Sequence, residues 1–169
     1  TRRLRPETED HTATARLKLG GAPALIGRSP ALAEVLRLAA LVAPRDIGVL
    51  ITDRTGSGKT ALARLIVEHG ARRDEPFVEL NCANIPTELV ESELFGAAQG
   101  SHSTATRRIP GKVIAADGGT LFLDEVAELG PIAQAKLLQF LQDGTFFALG
   151  ENRPRKANVR VIAATLADL

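Results

Sequence analysis

The sequence predicts a three-layer α/β domain around a mostly parallel sheet, and three observations carry that expectation. Short, wholly apolar runs recur along the chain, and a strand without polar alternation is one buried on both faces. Segments with helical spacing separate those runs in regular alternation, the pattern of helices packed on a parallel sheet. The composition supplies a core: 44% of the 169 residues are apolar, and a further 15 are Gly. The 21 Lys and Arg against 20 Asp and Glu leave a formal charge of +1, which excludes bulk attraction to a polyanion. With no Trp, no Tyr and 6 Phe, a nucleic-acid surface of stacked aromatics is also excluded. The single Cys82 permits no internal disulfide and suits a reducing compartment. The longest apolar run, residues 38–43, is far too short to span a bilayer, and the first residues carry no signal pattern. A cytoplasmic protein with no membrane partner is expected. The chain starts at Thr1 and contains no Met, so it is expected to be a piece of something longer.

Residues 1–21 are polar and rich in Arg and Thr without a period, which predicts a linker or flexible arm; residues 22–169 are expected to form the domain. Ser29 as N-cap and Pro30 at N1 open a helix on which Leu32, Val35, Leu36, Ala39, Leu41 and Val42 follow helical spacing. Residues 44–48 end it, and 48–52 form a first buried strand. The alternation then repeats: helix 59–69, strand 77–81, helix 87–95, strand 120–124, helix 131–143 and strand 159–165. In helix 131–143 the stripe Ile132, Ala135, Leu138 and Leu141 is expected to face the core.

Asp53-Arg54-Thr55-Gly56-Ser57-Gly58-Lys59-Thr60 lies between a buried strand and a helix, the context of a phosphate-binding P-loop. Gly56 and Gly58 allow backbone N–H groups to turn toward a phosphate at a helix N-terminus. Lys59 would reach the outer phosphates and the Thr60 hydroxyl would hold Mg²⁺. The candidate nucleotide contacts are therefore Thr55, Gly56, Ser57, Gly58, Lys59, Thr60 and Ala61. Asp53 stands where the full pattern begins with Gly, and a carboxylate near a triphosphate costs about 1–4 kcal/mol at a surface-like dielectric. A turn that binds nothing is the other reading of this stretch. The second signal is Asp124-Glu125 at the end of the apolar run from Thr120 and just after Gly118-Gly119. Such a pair supplies a Mg²⁺ ligand and a group that orients or deprotonates the attacking water. Arg72-Arg73 and Arg107-Arg108 read as solvated faces or subunit contacts, with nucleic-acid contact as the alternative. His102 reads as an exposed loop residue, because His11 and His69 show no ligand spacing to it.

The stretches Phe77-Val78-Glu79-Leu80-Asn81-Cys82-Ala83, Glu91-Ser92-Glu93-Leu94-Phe95-Gly96, Ala116-Asp117-Gly118-Gly119-Thr120-Leu121-Phe122-Leu123-Asp124-Glu125, Gln134-Ala135-Lys136-Leu137-Leu138 and Val159-Arg160-Val161-Ile162-Ala163-Ala164-Thr165 occur in that order. Together they resemble the central AAA+ domain of bacterial enhancer-binding proteins, the ATPases that remodel sigma-54 RNA polymerase. The resemblance runs from about residue 25 to 169. It implies ATP and Mg²⁺ as cofactors, with Lys59 and Thr60 on phosphates and metal. It makes Asp124 and Glu125 the Walker B pair and gives Asn81 the task of positioning the catalytic glutamate; a strand-end amide held by the backbone is the plainer reading of Asn81. Thr165 falls where the family has a nucleotide-sensing Thr-Asn pair, whose second member is Leu166 here. The family's loop that inserts toward sigma-54 corresponds to Gly100-Ser101-His102-Ser103-Thr104-Ala105, with His102 replacing the apolar Phe and the second Gly lost, so contact with the sigma factor is expected to be weak or absent. In the family fold a further strand, a helical lid and trans-acting arginines come after the sensor strand, beyond residue 169; without that strand, 49–52 is expected to be an exposed edge.

The expectation is an ATP-binding module of a sigma-54-type transcriptional regulator that hydrolyses ATP in a self-assembled ring and reaches DNA through a separate domain. The alternatives are a nucleotide-binding or assembly module without turnover, acting independently of sigma-54, and a remodelling ATPase outside transcription. Asp53→Gly is expected to tighten ATP binding by at least about fivefold in a direct titration. Near-equal affinities would refute the electrostatic penalty assigned to Asp53.

Overall fold

The computed structural model describes residues 30–52, 58–100 and 108–166. The arm 1–21, the Ser29 cap, Asp53 with Thr55, Gly56 and Ser57, Arg107, and the loop residues from Ser101 through His102 to Ala105 lie outside the described residues. The elements are α1 (Pro30–Val42), β1 (Val49–Thr52), α2 (Lys59–Glu68), β2 (Phe77–Asn81), α3 (Thr87–Phe95), α4 (Lys112–Ala115), β3 (Thr120–Asp124), a 3₁₀ turn (Val126–Glu128), α5 (Pro131–Asp143), β4 (Thr145–Phe146), β5 (Arg155–Lys156) and β6 (Arg160–Thr165). Four parallel strands form one sheet in the order β1-β6-β3-β2, and β4 pairs antiparallel with β5 beside it.

The sheet sorts its side chains by parity, as a pleated strand must. Ile51, Phe122, Ile162 and Ala164 face one core, closed by Leu36 and Ala39 of α1 and by Ala63, Ile66 and Val67 of α2. Leu80, Leu121, Leu123 and Val161 face the other, closed by Val90, Leu94 and Phe95 of α3, Val113 of α4, and Ala133, Leu137 and Phe140 of α5. Helices thus cover both faces, and the architecture is the three-layer one that the sequence predicts. In the second core the ring centroids of Phe95 and Phe140 lie 6.1 and 5.8 Å from that of Phe146. A Lys136–Glu91 ion pair ties α5 to α3.

Four details differ from the sequence reading. On α5 the core-facing stripe is Ala133, Leu137 and Phe140, whereas Ile132, Leu138 and Leu141 are exposed. The helix is apolar on both sides, and the bulk of Phe140 fits the space beside Phe146. On α1 the side chains of Leu36 and Ala39 are buried while Val35 and Leu41 stand outside. The short α4, the 3₁₀ turn and the β4–β5 hairpin carry no periodic signal and were not foreseen. Finally, β1 starts at Val49, α2 stops at Glu68 and β6 starts at Arg160, each one residue inside its expected boundary.

The amino ends of the strands are fixed by two arginines. Arg160 is buried, and its Nε, Nη1 and Nη2 donate to the carbonyl oxygens of Ile47, Ala43 and Val42, at 3.1, 3.0 and 2.7 Å. It thereby bonds carbonyls of the last helical residue and of the turn that follows α1, of which the Val42 carbonyl also accepts the Arg45 N–H. Arg72 is only 14% exposed and spends all five N–H groups: Nε and Nη2 on Asp46, Nη2 also on Asn158 Oδ1, and Nη1 on the carbonyls of Gly119 and Asn158. It is therefore a structural clamp rather than the solvated or nucleic-acid-facing residue that the Arg72-Arg73 pair suggested; Arg73 is exposed beside Asp74. Gly119 completes this end, because a Cβ there would sit 2.0 Å from the Pro76 carbonyl oxygen that accepts the Thr120 N–H.

The two α5 stripes make a direct comparison. Leu137→Ala is expected to cost about 2–5 kcal/mol through its cavity, and Leu138→Ala less than about 0.5 kcal/mol, in urea unfolding of the two variants.

Candidate functional site

The parallel register carries a set of polar residues to one edge of the sheet. Thr52 pairs with Thr165 and Asn81 with Asp124, each at the carboxyl end of its strand. Ligands of open parallel sheets bind at that edge. Gly58 holds φ +85° just before α2, a left-handed conformation that suits Gly, and its carbonyl accepts the first helical N–H, from Leu62. This bend delivers Lys59 as the first residue of the helix, with Thr60 and Ala61 half-buried behind it. Among the described residues no side chain caps this helix end.

Lys59 is the central charge. Its side chain is 3% exposed, and Nζ donates to Glu125 Oε1 at 3.3 Å. An ammonium has three protons, and this one has a single long hydrogen bond to a described residue in a place water scarcely reaches. Such a cation retains capacity for a second anion, so the residues present fit a phosphate. The carboxylate arrives from β3 through a backbone step: Glu125 is the only described non-Gly residue with positive φ, at φ +53°, ψ +48°. A non-Gly residue in that region stores about 1–2 kcal/mol. That turn swings Glu125 away from the strand axis and starts the 3₁₀ turn, while Asp124 Oδ1 accepts the Glu125 N–H at 2.9 Å. The two adjacent carboxylates are thus held differently, Asp124 on backbone and Glu125 on Lys59. The Asp124 carboxylate and the Thr60 hydroxyl are hard oxygen donors of the kind Mg²⁺ takes.

Asn81 borders Asp124 across the β2–β3 ladder, and its Oδ1 accepts the Ala83 N–H at 3.0 Å. The described contact is thus with backbone. Thr165 is fully buried at the end of β6 and Leu166 beyond it is exposed. The structure brings together Lys59, Thr60, Ala61, Asn81, Asp124, Glu125 and Thr165 at one edge; Thr55, Gly56 and Ser57 lie outside the described residues. Sequence reading missed the Lys59–Glu125 pairing, since no spacing rule links residues 66 positions apart.

Cys82 lies just behind this edge, buried, with its N–H donating to the Asp124 carbonyl. Burial, reinforced by the negative charges of Asp124 and Glu125, pushes its thiol up to about 11. Farther out, Ala97 and Ile109 exchange backbone hydrogen bonds at 2.8 and 2.9 Å and Ala98 N–H donates to the Leu149 carbonyl. The segment that carries 101–107 leaves and returns through this bridge.

Comparison with known proteins agrees with this geometry. Residues 25–169 match the family described as the sigma-54 interaction domain. The chain is 49% identical over 164 residues to the nitric oxide reductase transcription regulator NorR2 of Cupriavidus necator, covering 97% of this chain and 31% of that protein. It is 47% identical over 145 residues to the DNA-binding transcriptional regulator NtrC of Azospirillum brasilense, covering 86% of this chain and 30% of the relative. Among solved structures it is similar to NtrX from Brucella abortus in complex with ATP, with a TM-score of 0.76, 35% identity, and coverage of 85% of this chain and 30% of that one. The chain thus spans about a third of the length of these relatives.

A thiol held near 11 has almost no thiolate at neutral pH, and the thiolate is what reacts. Cys82 is expected to resist thiol-specific reagents in the folded chain at pH 8 and to react fully in urea, as read by absorbance of the released chromophore.

Proposed function

Because the chain belongs to the sigma-54 interaction domain family, we propose that it is the Mg-ATP-binding AAA+ module of a sigma-54-type transcriptional regulator. The observation that carries this reading is the buried Lys59 ammonium at the N-terminus of α2, paired with the Glu125 carboxylate just past the end of β3. In the proposed chemistry Lys59 neutralises charge on the outer phosphates. The Thr60 hydroxyl and Asp124 would hold Mg²⁺, which would supply further positive charge to offset that of the phosphates. Glu125 orients the attacking water and accepts its proton. Asn81, next to Asp124 in the sheet, would position the Glu125 carboxylate, and Thr165 would sense the nucleotide from the end of β6. Thr55, Gly56 and Ser57 would contribute backbone N–H groups to the phosphates. Support for nucleotide binding also comes from the similar NtrX structure, which was solved in complex with ATP.

At the level of the full-length protein, this reading has the module self-associate into a ring, couple hydrolysis to remodelling of a transcription complex, and reach DNA through a separate domain. Direct sigma-54 contact is proposed to be weak, because His102 replaces the apolar residue at the tip of the contact loop. A second reading, nucleotide binding without turnover, is favoured by one observation: the exposed Leu166 follows Thr165 where the family pattern has a polar Asn.

Titration with ATP and Mg²⁺ tests the first step. Wild type is expected to bind, and Lys59→Ala to lose at least about tenfold in affinity. In the full-length protein, Glu125→Gln is expected to retain ATP binding while phosphate release falls by about a hundredfold or more. Binding without any phosphate release by full-length wild type would establish the second reading instead.

A further inference from the structure

We propose that the apolar faces of α1 and α5, left exposed on opposite sides of the sheet, are the two halves of one contact between copies of this chain, with α1 of one copy lying antiparallel against α5 of the next. The inference rests on the self-association in the reading above and names the surfaces that carry it.

Each face is a stripe of large side chains standing in water. On α1, Val35, Leu38 and Leu41 are 40–49% exposed, and on α5, Ile132, Leu138 and Leu141 are 52–66% exposed. Residues three apart share one strip of helix surface, and a contiguous apolar strip of this kind marks an interaction surface. Each helix buries its other side, α1 on the core that holds Ile51 and Phe122 and α5 on the core that holds Leu121 and Leu123, so the two stripes point away from opposite faces of the sheet. Beside α5, a groove of about 280 Å³ against the 3₁₀ turn, lined by Val126, Leu129, Leu138 and Leu141 among others, gives that stripe a concave flank.

Charge selects the occupant. Arg45 follows the α1 stripe and Glu128 precedes the α5 stripe; both are exposed, and neither has an ion-pair partner among the described residues. Counted back from Arg45 the α1 positions are 45, 41, 38 and 35, and counted forward from Glu128 the α5 positions are 128, 132, 135 and 138, the same steps in both. Antiparallel helices in this register set Arg45 against Glu128, Leu41 against Ile132, Leu38 against the small Ala135, and Val35 against Leu138. Pairing like with like loses the match. Two α1 faces would put Arg45 against Val35 or against a second Arg45, and two α5 faces would put Glu128 against Leu138 or against a second Glu128. A contact between two different faces leaves each copy one free face for a further copy, the head-to-tail arrangement that closes into a ring or runs on as a filament. Because Glu128 ends the 3₁₀ turn that follows Glu125, this contact bears on the element next to the candidate site.

Sedimentation velocity of the chain at rising concentration tests the inference. Wild type is expected to self-associate, and Leu38→Glu and Leu138→Glu are each expected to weaken association by at least about tenfold. Both positions are exposed, so both variants are expected to keep the wild-type urea midpoint. Mixed in equal amounts, the two variants are expected to form a dimer and nothing larger, since each retains the face that the other has lost. The inference is overturned if the wild-type chain stays monomeric, if either variant alone associates as wild type does, or if the mixture stays monomeric. The full-length protein separates this outcome from failure of the ring reading. If it assembles and its Leu38→Glu and Leu138→Glu forms assemble equally well, the inference fails while the ring stands; if full-length wild type sediments as a monomer, both fail.

Discussion

The seating of β3 between β2 and β6 is the constraint on which the rest of the structure depends. Its first four residues are fully buried, and its side chains alternate between two cores: Leu121 and Leu123 toward α3, α4 and α5, Phe122 toward α1 and α2. A strand of this kind is stable only with a layer on each face and a neighbour on each edge. Both conditions being met, its end is also fixed, and Asp124 and Glu125 emerge at the level where α2 begins. The chemistry at this edge follows from satisfying the burial of three hydrocarbon side chains.

Much of this was legible in the sequence, and the pattern of what was not is instructive. The centre of β3 is apolar, and both it and β2 are short and bounded by turn residues, so their limits could be read to the residue. The bounds of α3 and α5 were equally plain, yet the face of α5 was not. Ile132, Leu138 and Leu141 fit helical spacing as well as Ala133, Leu137 and Phe140 do, and only the aromatic cluster of Phe95 and Phe146 selects between them. The β4–β5 hairpin has two residues per strand, too few for any period, and exists because tertiary contacts hold it. In the site, the residue types at the sheet edge were legible because Gly58, Lys59 and Thr60 open a helix shortly after a strand. The partner of Lys59 was not, since it depends on a left-handed turn at a glutamate, a residue type that gives no local warning of one.

Two cations are buried among the described residues, and they are held in contrasting ways. Arg160 is surrounded by three neutral carbonyls in a planar arrangement that a guanidinium matches well. Burial disfavours its charge and lowers its pKa, an effect partly offset by the Asp46 carboxylate. No simple anion could replace three carbonyls fixed by helix and loop backbone. Among the described residues Lys59 has instead one carboxylate, at 3.3 Å, on a compact point charge. The first cation is bonded to three backbone carbonyls and the second, among the described residues, to one carboxylate, a difference of ligand geometry rather than of burial.

The arginine clamp has a mechanical consequence. Arg72 and Arg160 gather their partners at the amino ends of β3 and β6, and the Gly118 N–H bonded to the Asn158 carbonyl adds to the same end. The polar edge lies at the opposite end of strands about 17 Å long. The sheet is therefore built as a cantilever, anchored at its base and loaded at its tip. Among the described residues the end that carries Lys59 and Glu125 has no such guanidinium clamp, so its side chains are held by the strands and by one another.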